Sequence, residues 1–185
     1  LLEGLEQLSP KMIPYKGILL REFDLDGALA RNPQLILVDE LAHTNAQGCR
    51  HTKRYQDVQE LLRSGISVYT TVNVQHLESL NDVVAAVTGV TVAERIPDSV
   101  FDSADQVEVM DLEPADLLER LQSGKIYREA QAQRAATNFF SIENLTALRE
   151  IALRRCADRV NQLSENARNK SKGDYYTDEH ILVCL

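Results

Sequence analysis

Two carboxylates directly follow four apolar residues in the run Leu35-Ile36-Leu37-Val38-Asp39-Glu40, and Leu41-Ala42-His43-Thr44-Asn45 comes next. Acids in that position can serve a cation. In nucleoside-triphosphatases an Asp at the carboxyl end of a buried strand holds the Mg²⁺ that bridges the phosphates, and a following acid can orient the attacking water. Asp39 and Glu40 suit those two roles in that order. The plainer reading is that a buried strand must end somewhere, and an Asp-Glu pair ends it in solvent.

Behind the pair, His43, Thr44, Asn45, Arg50, His51, Lys53 and Arg54 crowd one polar loop. Beside a carboxylate-held metal, such cations neutralise phosphate oxygens in a loose transition state, and a His or Asn can orient water or a ribose. Alternatively they only keep an acidic chain soluble. His43 and His51 could instead join Asp39 as metal ligands, but their spacing matches no standard transition-metal pattern. Cys49, in the same cationic loop, could carry a lowered pKa, although no base partner is evident. Thr70, Thr71 and Asn73 end the next β-rich run, so a parallel sheet would set them beside Asp39, able to sense a γ-phosphate or the attacking water. Asn73 is equally a candidate helix N-cap. His76 and Glu78 read as capping or surface residues.

The elements that must position these residues follow from periodicity. Residues 35–38, preceded by Asn32-Pro33, read as a central strand of a parallel sheet, buried on both faces. Ligands bind outside the carboxyl ends of such strands. Upstream, 1–8 has helical spacing, and 11–15 and 18–23, broken by Pro14 and Gly17, read as one or two strands with a turn between. Asp24 caps a short helix through Ala30 with Leu25, Ala28 and Leu29 on one face. After the loop, a helix over 55–64 turns Val58, Leu61 and Leu62 inward and stops at Gly65; 66–72 is the next strand. Strand, helix, strand is the pattern of a parallel crossover.

Further along, 73–89 reads as loop and helix closed by Gly89, 90–96 as a strand, 97–104 as a turn or short helix, and 106–110 as a strand. Pro114 suits the first turn of a helix that continues to Gln122 and stops at Gly124. Two helices, 129–140 and 145–165, carry the chain beyond. Phe139-Phe140 and the stripe Leu145, Leu148, Ile151, Ala152, Arg155 and Val160 read as packing. The polar stretch 164–178 reads as a linker, and His180-Ile181-Leu182-Val183-Cys184-Leu185 as a strand opening a second α/β domain.

At 185 residues with 44% hydrophobic content, the chain suits one domain or a domain with an appendage. The net charge of −8 and pI near 5.0 argue against a general nucleic-acid or membrane-surface binder, while leaving room for a local basic patch. Cys49, Cys156 and Cys184 are odd in number and far apart, so neither a disulfide framework nor a zinc ribbon is indicated, and reduced thiols in a cytosolic setting fit best. No apolar run reaches membrane-span length and nothing resembles a signal peptide. No G-x-x-x-x-G-K-[S/T] phosphate loop occurs, and an acidic pair without those amides and that lysine holds a triphosphate poorly. Either the chain is a fragment lacking the preceding strand and loop, or its site is not a working ATPase.

The blocks LVDELAHTN, RHTKRYQDVQELL, SGISVYTTVNVQHLESLNDVV, IPDSV and NLTALREIALRR, in that order, resemble the amino-terminal cytoplasmic region of the KdpD family of potassium-responsive sensor histidine kinases. The resemblance covers approximately residues 1–163; the terminal DEHILVCL resembles the first strand, 179–185, of the universal-stress-protein-like domain that follows in that family. It implies an α/β fold: a P-loop NTPase-like parallel sheet with flanking helices and a C-terminal helical extension. Walker B maps onto 35–40, with Asp39 as Mg²⁺ ligand and Glu40 as its neighbouring acid, and Walker A is expected upstream of Leu1. The cofactors implied for the intact domain are ATP and Mg²⁺; joined to Asp39 and Glu40, the loop and strand-end residues read above give the candidate binding set Asp39, Glu40, His43, Asn45, Arg50, Lys53, Thr71 and Asn73, with no catalytic residue assigned.

The same resemblance implies a regulatory role, modulating the balance of kinase and phosphatase activity within the cytoplasmic part of an inner-membrane protein. Its expected partners are other cytoplasmic domains of the same kinase and, through the full-length protein, a response regulator controlling potassium-uptake genes. No nucleic acid and no direct membrane contact are expected. The phosphoaccepting histidine and kinase core lie far downstream in the family, so none of His43, His51, His76 and His180 is that residue. A non-catalytic scaffold that docks other cytoplasmic domains is the alternative, and an independent hydrolase lacks a positioned nucleophile.

Overall fold

Lys16 and Gly17 both sit at positive φ, 46° and 83°, the two-residue turn geometry that matches the twist of a hairpin and that glycine adopts without a Cβ penalty. This turn joins β1 (Lys11–Tyr15) to β2 (Ile18–Glu22) as an antiparallel pair with Ile13 opposite Leu20. The computed structural model describes residues 3–123 and 139–170, and the chain divides into two compact units, Leu1–Ala104 and Asp105–Leu185. Residues 3–8 form turns and irregular backbone, where helical spacing suggested a helix. Gly4 at φ 86° and the Ser9-Pro10 pair break it.

Asp24 caps α1 (Leu25–Arg31), its carboxylate accepting from Gly27 N at 3.2 Å, and Leu25 and Ala28 are buried as their spacing requires. β3 (Leu35–Val38), α2 (Arg54–Arg63) and β4 (Ser67–Thr70) then form the strand–helix–strand crossover, with β3 and β4 parallel and Val38 opposite Thr70. In α2 the inward residues are Asp57, Val58 and Leu61, whereas Leu62 is half exposed. The stripe lies about one position earlier than the apolar residues alone suggested, because a buried Asp takes part in it.

Among the described residues β3 pairs only with β4, so the α/β class is realised as two two-stranded sheets. The expectation of a strand buried on both faces is corrected: Val38 is buried, but Leu35 and Leu37 are 46% and 58% exposed. After β4 come two 3-10 turns, Val74–His76 and Glu78–Leu80, then α3 (Asn81–Thr88), ended by Gly89 in the left-handed region.

The strands expected at 90–96 and 106–110 do not form. The first contributes one bridge, Leu77 to Ile96, because side chains claim its backbone: Val92 O accepts from Asn81 Nδ2 at 3.0 Å and from Arg95 Nε at 3.1 Å. The second lacks a ladder partner among the described residues. α4 (Asp98–Asp102) lies between them.

In the second unit α5 (Pro114–Gln122) carries Pro114 in its first turn, where the missing N–H costs nothing. α6 (Ile142–Lys170) begins three residues before the expected 145, with Ser141 Oγ accepting from Asn144 N at 3.1 Å. Its Leu145 and Leu148 are buried, as is Leu121 of α5. Arg149 donates to both oxygens of Asp111 at 2.6 and 2.7 Å and pairs with Glu113 at 2.9 Å. α6 continues through Lys170 into the stretch read as a linker, since no Gly or Pro interrupts it there. Phe139 and Phe140 pack edge to face ahead of α6. Residues 129–138 of the expected helix, the rest of the linker and the strand at 179–185 lie outside the described residues.

Candidate functional site

Because β3 and β4 run parallel, Asp39 and Thr71 leave the sheet at the same edge, and Leu41 N donates to Thr71 O at 2.9 Å to hold the two exits together. Asp39 Oδ1 accepts from Glu40 N at 2.9 Å and from the Thr71 hydroxyl, while Glu40 N also lies 3.3 Å from Thr71 Oγ1. Asp39 Oδ2 has no donor among the described residues. Glu40 sits at φ 56°, a left-handed conformation that costs a non-glycine residue about 1–2 kcal/mol. Its carboxylate is 72% exposed, with Arg54 at 3.9 Å and His43 Nδ1 at 4.0 Å.

Beneath this rim lies a buried carboxylate. Glu22, at the end of β2, has its side chain 5% exposed and accepts from His43 Nε2 at 3.1 Å, from Ala46 N at 3.0 Å and from Arg54 Nη2 at 3.5 Å. Arg54 also donates to Asp39 O at 3.1 Å, and its Nε is buried without a partner among the described residues. A buried charge is tolerable only when paired and hydrogen-bonded; Glu22 is both, and so ties the hairpin to the strand tip. Arg21, Glu22, Asp39 and Arg54 share the lining of an open cleft with Leu8 and Leu37.

The polar loop is mostly occupied with its own architecture. Asn45 Nδ2 donates to Asp57 Oδ2 at 2.7 Å and to His51 O at 3.1 Å. Arg50 pairs with Asp26 and Glu60, and His51 Nε2 lies 2.6 Å from Glu60. Lys53 Nζ donates to Thr44 Oγ1 at 2.7 Å, and Thr44 N donates to Glu94 at 2.8 Å. Burial opposes the charge of Glu94, but the Thr44 amide and hydroxyl, with His43 and Lys53, prevail and hold its carboxyl below the usual range. Burial and the Glu22 and Asp57 charges push the Cys49 thiol up, as suits the unreactive thiol expected where no base partner is evident rather than the lowered pKa a cationic loop could give.

The structure thus brings Asp39, Glu40 and Thr71 together, with His43 hydrogen-bonded to Glu22 and 4.0 Å from Glu40. It does not bring Asn45, Arg50 or Lys53 to the rim as free donors, because Asn45 is fastened to α2, Arg50 to α1 and α2, and Lys53 to Thr44 within the loop. Asn73 lies exposed beyond Thr71 at the start of a 3-10 turn, where its side chain makes no capping bond. No group of three or more His, Cys, Asp or Glu converges on a metal position among the described residues; His43 and His51 are turned to Glu22 and Glu60. Sequence reasoning missed Glu22 and Asp57, and placed Arg54 in the loop cluster without its role. The only sequence signal for Glu22 is an acid ending the apolar run of β2.

A model of the family described as "KdpD: Osmosensitive K+ channel His kinase sensor domain" matches residues 1–160. The chain belongs to this family. It is 59% identical to a sensor protein KdpD of Clostridium acetobutylicum and 55% identical to one of Escherichia coli K12, in each case over 100% of this chain and 21% of the relative. A putative sensor protein KdpD of Synechocystis is 50% identical over 98% of this chain and 49% of its own length. The chain therefore spans about a fifth of the first two relatives.

For a KdpD sensor domain the question is whether the rim fits Mg²⁺ and a nucleotide. One carboxylate with a vacant lone-pair direction suits Mg²⁺, which takes one or two carboxylates and completes its shell with water and phosphate oxygens. Asp39 Oδ2 meets that requirement, and the rim fits the ion. A glycine cradle for the phosphates is not among these 185 residues. Among the described residues no helix is long and apolar enough to cross a membrane.

Proposed function

We propose that this KdpD sensor domain binds ATP with Mg²⁺ at the β3–β4 rim and regulates the kinase of which it is part. The observation that carries the reading is Asp39, held at a parallel strand tip by the Thr71 hydroxyl of the neighbouring tip with its second oxygen open. On this reading Asp39 holds the metal, Glu40 faces the water side and Thr71 fixes Asp39, while Arg54 and His43 stand about the exposed Glu40 carboxylate at 3.9 and 4.0 Å. Bound Mg²⁺ would supply charge neutralisation at the phosphates. The P-loop-type sheet belongs to the same proposal. Parallel sheets are normally covered on both faces by helices, whereas Leu35, Leu37 and Tyr69 share one face and are 46%, 58% and 66% exposed, a face with room for a covering helix.

In the full-length protein the domain shifts the balance between kinase and phosphatase activity toward a response regulator from the cytoplasmic side of an inner membrane, with other cytoplasmic domains as its immediate partners. Calorimetric titration of ATP·Mg²⁺ tests the site on a chain extended upstream to take in a strand, a phosphate loop and a helix. Binding is expected in the wild type, and Asp39→Asn should abolish its Mg²⁺-dependent part.

A second reading rests on α6, whose Leu153, Val160 and Leu163 are 44%, 61% and 50% exposed at spacings of seven and three. Such a stripe suits helix packing, and the domain then serves as a scaffold that docks neighbouring domains without nucleotide. Absence of ATP binding in wild type and variant alike would favour it.

A further inference from the structure

Apart from Arg21, which also lines the cleft beside Asp39, the hairpin β1–β2 presents a surface that the nucleotide reading does not use. Residues 8–21, LSPKMIPYKGILLR, hold Lys11, Lys16 and Arg21 and no carboxylate, in a chain of net charge −8. Ile13 and Glu22 are buried, so alternation along the strands sends the cross-strand pairs Met12–Arg21 and Pro14–Leu19 to the opposite face. At the tip Tyr15 lies opposite Ile18, and Lys16 Nζ stands 5.2 Å from the Tyr15 ring centre. Met12, Ile18 and Leu19 are 46%, 59% and 61% exposed. Lys16 and Arg21 make no ion pair among the described residues, while Lys11 lies 3.5 Å from Asp26.

Charge and shape select the occupant. Two copies joined through this face would set Lys16 and Arg21 against their like. A two-residue turn with Ile18 and Leu19 exposed beside it suits insertion into a surface that yields. An anionic bilayer satisfies both halves of the patch, with cationic heads at the phosphates and aliphatic groups beneath them. We infer that the hairpin docks on an anionic lipid surface, Ile18 and Leu19 entering the headgroup–acyl boundary and Lys16 and Arg21 pairing with lipid phosphates. The acidity of the remaining chain, which argues against general membrane binding, keeps this contact weak and confined to the hairpin. It also places the contact on the strand that ends in Glu22, on which His43 and Arg54 are anchored.

The chain has no tryptophan, so Leu19→Trp provides a single reporter. With vesicles of phosphatidylcholine and phosphatidylglycerol in two-to-one ratio at low salt, its emission should shift to the blue and the protein should sediment with the lipid. Added salt or vesicles of phosphatidylcholine alone should remove both effects. Lys16→Glu with Arg21→Glu should weaken partitioning by at least about 25-fold, since each basic residue near such a surface contributes about five-fold. Leu62→Trp, at a half-exposed position of α2, should report no shift. The proposal is overturned if wild type does not sediment with the anionic vesicles, if both reporters shift alike, or if the charge reversal leaves partitioning unchanged. Hairpin-dependent binding to a polyglutamate peptide in place of vesicles would overturn it in favour of an acidic protein partner.

Discussion

Asp57 shows how much one side chain of α2 decides. It is 3% exposed and accepts from Asn45; burial pushes its carboxyl up, and the Asn45 hydrogen bond with the charges of His51 and Arg54 offsets only part of that. The unfolded chain releases this proton near pH 3.9, whereas the folded chain keeps it to higher pH. Between the two values the folded state binds more protons, so this group lowers stability as pH rises through that window, and its full cost is present above the folded value. Asp57→Asn retains an acceptor for Asn45 and removes the charge. Its urea midpoint should therefore gain on the wild type as pH rises from about 4, then run parallel to it; superimposable pH profiles would remove Asp57 from the account. None of this was legible in RYQDVQELL, where Asp57 looks like a polar position of an amphipathic helix. Asp39 and Glu40 were legible, because an apolar strand running into acids is a local pattern; Glu22 was not, because its partners lie 21 and 32 residues away.

At the scale of elements, the strand–helix–strand unit was readable because its signals are short-ranged: an apolar run, a helical stripe and a glycine stop. That stop carries a prediction. Gly65 stands at φ 83° with nothing within 4 Å of an added Cβ, and its N–H donates to Leu62 O at 3.0 Å. Gly65→Ala meets no clash, so its cost is the left-handed backbone itself, about 1 kcal/mol. Gly65→Asn should recover part of this, since Asn tolerates that conformation. Thermal unfolding should rank glycine above asparagine above alanine; equal midpoints would mean the helix end relaxes to another geometry. The strands wrongly expected at 90–96 and 106–110 show the other side of the same point. β-rich composition states that a segment can be extended, but a ladder needs a partner, and the first segment's carbonyl at Val92 is taken by Asn81 and Arg95 side chains.

For the molecule as a whole, the two units bury separate apolar sets: Leu61, Ile66 and Val84 in the first, Leu121, Leu145 and Leu148 in the second. The resemblance implies one domain over 1–163, and the change from strands to helices near 129 reads as an appendage or a connector leaving the sheet; the two compact units meet in sequence at Ala104 and Asp105. Deleting a buried leucine tests the division, because the loss of its contacts and the cavity it leaves cost about 2–5 kcal/mol wherever the surroundings cannot collapse. Leu61, 0% exposed, and Leu148, 7% exposed, are equivalent probes of the two sets. In Leu61→Ala, amide exchange should accelerate in α2, β3 and β4, and in Leu148→Ala in α5 and α6. A loss of protection spread evenly over both units by either substitution would show that the chain opens as one cooperative body, and the boundary after Ala104 would then have no thermodynamic meaning.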